Sequence, residues 1–308
     1  DMMLTHARGI GEFLREMKEE TFEKYHAFTV GEVFNDKPGE LADYIGENGY
    51  FSSIFDFHET TIGASPKGWY GNSPVTAEDY KKACFAAQEK STGLGFYSNV
   101  IENHDEPRGV SHYLPEGCVC ESSKKMLAGL YFMLRGIPFI YQGQEIGMEN
   151  IRMDSMEDYE DIATKGQYRR AIDAGLDEKT AFDIIAKRSR DNSRTPMQWN
   201  SRKNAGFSNA DNTWIKVNPN YKNINAAEQE LTDSVLNFYR KIIHLRKDSK
   251  YSDIIINGEF LPYESEDPCV IAYQRNASNG RLLVIHNFQN CQSTIKLPKK
   301  DMEVIIGN

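Results

Sequence analysis

The feature that most constrains this chain is a rhythm in which helix-patterned segments alternate with short apolar runs, each run ending in polar or charged residues. Ile10, Phe13, Leu14, Met17, Phe22 and Tyr25 fall at helical spacing, and the run Phe28–Phe34, FTVGEVF, follows them. Residues 76–90 are patterned as a helix and lead into 95–102, GFYSNVIE. Residues 122–134 repeat the pattern and lead into 136–143, GIPFIYQG. Such alternation predicts a parallel sheet, because a helix-length crossover is what returns the chain to the same end of the sheet.

Parallel strands all point one way, so the polar ends of these runs should meet on one face. Those ends are Glu32, then Asn103, His104 and Asp105, then Gln142, Gln144 and Glu145. Glu32 stands where a buried strand normally carries Val, Ile or Phe. An apolar surround would hold its carboxyl protonated. A protonated and an ionised carboxyl across one cleft are the equipment for acid/base work on a glycosidic bond. A strand-end Glu serves equally well as a helix cap or an Arg partner, and spacing alone leaves both readings open. Asn103-His104-Asp105 is more pointed, because three adjacent hydrogen-bonding side chains are hard to satisfy locally. Arg108 and Arg190 can balance the carboxylates or hold sugar hydroxyls, with a structural salt bridge as the other reading. Lys67 and Trp69, in PKGWYGNSP, read first as surface and packing.

A formal net charge of -9, spread along the chain, disfavours nucleic acid and anionic membrane as partners. No apolar stretch approaches the roughly 20 residues of a membrane span. Five scattered cysteines fit a reducing, cytoplasmic setting better than a disulfide framework, and Cys118-x-Cys120 lacks the further ligands of a zinc site. No metal and no cofactor are expected. Residues 1–250 read as one unit, with a charged helical insertion at about 151–187 and a long helix over 228–246. From about Tyr251 the texture becomes short β segments, CVIAYQ, RLLVIHNF, STIKLP and MEVII, predicting a small antiparallel domain over 251–308.

Four ordered strings carry a resemblance: TVGEV, NVIENHDEPRGVSHY, GIPFIYQGQEIGMEN and SRDNSRTPMQWNSRKNAGFS. Together they resemble the α-glucosidases of glycoside hydrolase family 13, in the branch of oligo-1,6-glucosidase, dextran glucosidase and trehalose-6-phosphate hydrolase. The resemblance implies the later part of a (β/α)8 TIM barrel followed by a small antiparallel β-sandwich domain, acting on oligosaccharides. It implies Glu32 as general acid/base and Asp105 as the second carboxylate, which holds sugar hydroxyls near the transition state. Asn103 and His104 belong to the same motif, His104 bonding the same sugar. Arg190 matches an arginine lining the subsite of the non-reducing glucose. Lys67 matches an aglycone-side lysine, although the family's KW reads KGW here.

The departures are equally specific. Retention needs a nucleophilic carboxylate about 5 Å from the acid/base. In relatives it sits on a GFRMD-type strand well upstream, and no such string occurs here. The reading is therefore of a chain whose partner is the missing N-terminal half of the barrel, and which alone is inactive. Ala163, in DIAT, replaces a carboxylate of isomaltose-cleaving relatives, which leaves 1,6- against 1,4-linkage preference open. RGVSHY lacks the Arg and Asp of the sucrose isomerases' loop, which favours hydrolysis. A trehalose-6-phosphate hydrolase and a non-catalytic barrel relative remain the alternatives.

Overall fold

The computed structural model describes residues 9–34, 39–58, 61–289, 291–298 and 302–307. Its helices and strands run α1 (Ile10–Met17), β1 (Val30–Gly31), α2 (Leu41–Tyr44), β2 (Ser53–Asp56), α3 (Ala77–Ser91), β3 (Tyr97–Asn99), α4 (Gly109–Tyr113), α5 (Glu121–Phe132) and β4 (Ile137–Pro138). There follow α6 (Ile162–Asp173), α7 (Glu178–Ala186), α8 (Asp191–Arg194), α9 (Ala226–Gln229), α10 (Val235–Asp248), α11 (Ser252–Asn257), β5 (Glu259–Pro262), β6 (Val270–Ala277) and β7 (Gly280–Asn287). Strands β1 to β4 form one parallel sheet in sequence order, with Val30 beside Ser53, Ile54 beside Tyr97 and Ser98 beside Ile137. Their C-terminal ends therefore share one rim.

Strand β2 is absent from the sequence reading, which passes from FTVGEVF to GFYSNVIE without it. Its buried positions include Ser53 and Asp56, so it carries no continuous apolar run. Ser53 is satisfied across the sheet, its hydroxyl 2.8 Å from that of Ser98 and donating to the Phe96 carbonyl at 2.7 Å.

Helix α3 starts where Thr76 accepts the Asp79 N–H at 3.1 Å, and buries Ala77, Tyr80, Cys84, Ala87 and Ser91 along one stripe. Helix α5 is buried on most sides, and α10 and the C-terminal sheet pack against it in one core. The Tyr273 hydroxyl donates to the Leu130 carbonyl at 2.8 Å, and Arg275 donates to that of Met133 at 2.9 Å. These two bonds fix β6 to the barrel portion.

Four features differ from what the sequence pattern predicts. Helix α1 forms, but none of its residues is buried and Ile10, Phe13 and Met17 on its apolar face are exposed. The long helix begins at Val235, not Glu228, because Ser234 caps it and α9 precedes it separately. The C-terminal part is a three-stranded antiparallel sheet, β5-β6-β7, and the described residues of STIKLP and MEVII are not strands. Ser252–Asn257, within the expected β texture, is helical.

Candidate active site

On the rim after β3, the Asn103 side chain accepts the Asp105 N–H at 2.7 Å, closing a tight turn that presents Asp105 outward. Asp105 is exposed, and one oxygen accepts from Arg194 at 2.7 Å and from Arg190 at 3.2 Å. His104 is also exposed, with Nε2 3.7 Å from the other Asp105 oxygen. Arg194 additionally donates to the His104 carbonyl at 2.8 Å. The motif is thus held from below by a helix turn that also carries Arg190.

Arg190 lies between α7 and α8, and its Nε and Nη2 reach one oxygen of Asp161 at 3.0 and 2.6 Å. Asp161 is the buried N-cap of α6, accepting the N–H groups of Ala163 and Thr164, each at 3.1 Å. Burial works to raise its carboxyl, but the bonds from Arg190 and Thr164 outweigh that and pull it down to about 2. Asp161 is therefore an anion that fixes the guanidinium, and Arg190 spans it and Asp105. The sequence reading weighed DIAT only for Ala163 and missed Asp161. Its signal was there, an Asp directly before a helix-patterned stretch. Arg194, four residues after Arg190 in SRDNSR, was missed as well.

Glu106 follows Asp105 in this turn. Burial pushes its carboxyl up to about 7, with the Asp105 charge adding and Arg188 and Arg190 opposing. Arg188 itself donates to the ring of His112 at 2.7 Å, and burial beside that cation drives His112 down to about 3, so the ring is neutral.

Glu32 directly follows β1, on the same rim, with β2 between it and the β3 turn. Two strand spacings amount to roughly 10 Å. Glu32 is exposed and not in the apolar surround expected of it, and among the described residues β1 stands at one edge of the sheet. Phe34 does stack on Phe57, with ring centroids 4.5 Å apart, beside the end of β2. The rim also carries Asp56, buried and 2.6 Å from His58 Nδ1, a pair the sequence reading left without a role.

The other candidates lie in the surrounding loops. Arg108 is fully buried, paired with Glu102 at 3.0 Å and donating to the carbonyls of Gln142, Asn192 and Ser193, so it ties loops together and is closed to ligand. Gln144 is buried against the hydroxyls of Tyr131 and Tyr239 at 2.7 and 2.9 Å. Glu145 accepts the Gly143 N–H at 2.8 Å. Lys67 is exposed on a loop docked to α6, where Trp69 N–H meets Gln167 at 3.1 Å and Arg170 meets the Pro66 carbonyl at 2.9 Å. Gly68, at a φ of +110°, permits that docking, since a Cβ there would lie 2.6 Å from Gln167 Oε1. No three His, Cys, Asp or Glu side chains gather as a metal site among the described residues.

A parallel β/α sheet whose C-terminal rim sets carboxylates against two arginines, backed by an antiparallel sheet, defines the later part of a barrel-type carbohydrate enzyme. Residues 3–257 match the alpha amylase catalytic domain, and residues 270–308 match the alpha-amylase SusG C-terminal domain. The chain belongs to the alpha-amylase family of glycoside hydrolases, family 13. It is 39% identical to an oligo-1,6-glucosidase of Parageobacillus thermoglucosidasius, over 97% of this chain and 54% of that protein. It is 34% identical to a trehalose-6-phosphate hydrolase of Bacillus subtilis, over 94% of this chain and 51% of that protein. A crystal structure of Bacillus licheniformis trehalose-6-phosphate hydrolase superposes with a TM-score of 0.85 at 36% identity, covering 97% of this chain and 53% of that one. The chain spans about half the length of the curated relatives it matches.

Proposed function

We propose that the intact protein is an exo-acting, retaining α-glucosidase that removes terminal glucose from short isomalto- or malto-oligosaccharides. The observation that carries this is Arg190 spanning Asp161 and Asp105 on the rim that Glu32 shares. An ionised Asp105, oriented by two guanidinium groups, is suited to hold sugar hydroxyls and to face an oxocarbenium-like transition state. Glu32 protonates the glycosidic oxygen and then activates water. His104 bonds the same sugar, Asn103 sets the turn, Arg190 lines the non-reducing glucose and Lys67 serves the leaving side.

Residues 1–250 supply the barrel portion with its helical insertion, and 251–308 the domain behind it. The nucleophile comes from the other part of the barrel, so the 308-residue chain alone is inactive. The five free thiols fit a cytoplasmic setting.

In enzyme that includes the rest of the barrel, Glu32→Gln should cut hydrolysis of natural oligosaccharides by ~10²–10⁴-fold. Near-normal turnover would sink the assignment. The likeness to trehalose-6-phosphate hydrolases favours that activity as a second reading. A kcat/KM for trehalose 6-phosphate well above that for isomaltose would select it.

A further inference from the structure

Away from the rim, two of the five free cysteines are brought together at the open end of the β6–β7 hairpin. Cys269 directly precedes β6, and its carbonyl accepts the Phe288 N–H at 2.8 Å, one step beyond the pair of Val270 and Asn287 that ends the ladder. Cys291 lies past β7, where the chain folds back on itself. Its N–H donates to the Gln289 carbonyl at 2.9 Å, and the Asn287 side chain donates to the Cys291 carbonyl at 2.6 Å. The Cys291 thiol is 4.0 Å from Asn287 Oδ1, while the Cys269 thiol is 3.4 Å from Gln289 Oε1. Both sulfurs are thereby held against the same stretch, Asn287–Gln289, and both residues line one cavity.

That cavity, of about 990 Å³, is also lined by Tyr263, Asp267, Thr294 and Lys296. Residues 292–298, which close the cavity, form no strand. They are held instead by Asp267, which accepts the Thr294 N–H at 3.2 Å, and by Tyr263, which donates to the Lys296 carbonyl at 2.7 Å. The same Asp267 accepts the Cys269 N–H at 2.9 Å. A covalent link between the thiols would therefore fasten a weakly held segment to the start of β6.

We propose that Cys269 and Cys291 form a thiol–disulfide exchange site that takes a low-molecular-weight disulfide and closes an intrachain cross-link. Cys291 is the exposed member and attacks first. The neighbouring Cys291 thiol, with the Asp267 carboxylate adding, holds Cys269 in its protonated form, so Cys269 is not the first to react, and capture of Cys291 in the mixed disulfide removes that neighbour. In the first step the Cys291 thiolate bonds to one sulfur of the oxidant, whose own S–S bond breaks to release one thiolate. In the second, the Cys269 thiolate attacks the Cys291 sulfur of the mixed disulfide and displaces the remaining thiolate. Two protein thiols lose two electrons and two protons, and the oxidant is reduced to two thiols.

The test is incubation of the purified chain with oxidised glutathione, followed by thiol titration, intact mass and peptide mapping. Titratable thiols should fall from five to three, with loss of two hydrogens and a Cys269–Cys291 cross-linked peptide. Cys269→Ser should stop at a glutathione adduct on Cys291, and Cys291→Ser should yield neither adduct nor cross-link at these positions. The cross-linked form should melt at a higher temperature than the reduced one. Five thiols persisting in oxidised glutathione, a link between Cys118 and Cys120, or an adduct on Cys269 in Cys291→Ser would each overturn the proposal. Melting curves of both serine variants in reductant establish that they are folded.

Discussion

At the scale of single residues, the rim is a charge balance in which Glu106 is the adjustable member. Asp105 and Asp161 share Arg190, and Arg194 adds a second cation to Asp105. Arg188 has the neutral His112 ring as hydrogen-bond partner, and its charge opposes the burial that raises the Glu106 carboxyl. Glu106 titrates at about 7 in the fold, against roughly 4.3 in an unfolded chain. The folded protein therefore keeps a proton that the unfolded chain has lost, and the associated stability is full below about pH 4 and is lost as pH rises through about 7. Glu106→Gln fixes the neutral form. Compared with wild type by urea denaturation, it should be equal in stability near about pH 4 and more stable by about 1–2 kcal/mol near about pH 8. A difference that stays constant with pH would show that Glu106 is not the titrating group. Sequence reading reaches Asp105 and Arg190 because they lie in distinctive strings; it marks Asp161 at most as a helix N-cap and gives nothing of the rim roles of Asp161 and Glu106. Their roles depend on which neighbours the fold delivers across long sequence separations, and Asp161 meets Arg190 only because α6 and α8 converge.

At the scale of elements, the legible parts are those whose burial follows one period. Helices α3 and α5 and strands β6 and β7 stand where apolar spacing placed them. Strand β2 escaped notice because hydrogen bonds, not apolar side chains, satisfy its buried Ser53 and Asp56. The start of α10 was misplaced because Leu231, at 84% exposed, continues the apolar spacing by chance. The real boundary is Ser234, whose hydroxyl accepts the Asn237 N–H at 3.2 Å and donates to the Gln229 carbonyl at 2.7 Å. Ser234→Ala removes both bonds and should cost ~1 kcal/mol in chemical denaturation, while Ser234→Thr, whose hydroxyl can both accept and donate, should recover most of the loss. An alanine variant as stable as wild type would mean that the cap does not define the helix start.

At the scale of the whole molecule, a barrel has no sheet edges, and the four-stranded parallel sheet formed by the described residues has two. Strand β1, which leads into Glu32, is one of them. Close to it in sequence, apolar side chains stand open, with Phe13 at 68%, Phe28 at 60% and Ile10 at 50% exposed. An unpaired strand beside such residues invites association with another chain. The same openness bears on chemistry, since an exposed Glu32 lacks the dry surround that a general acid uses, and covalent catalysis needs a second carboxylate facing it. The 308-residue polypeptide alone should accordingly show no glucosidase turnover and should self-associate on sedimentation as its concentration rises. Phe13→Glu with Phe28→Glu should weaken that association while leaving the denaturation of the α5–α10 core unchanged, because neither side chain contributes to it. Turnover by this purified chain, free of contaminating glucosidase, would mean that its four strands already hold both carboxylates that the chemistry requires, and that the nucleophile must be sought among the residues already on the rim.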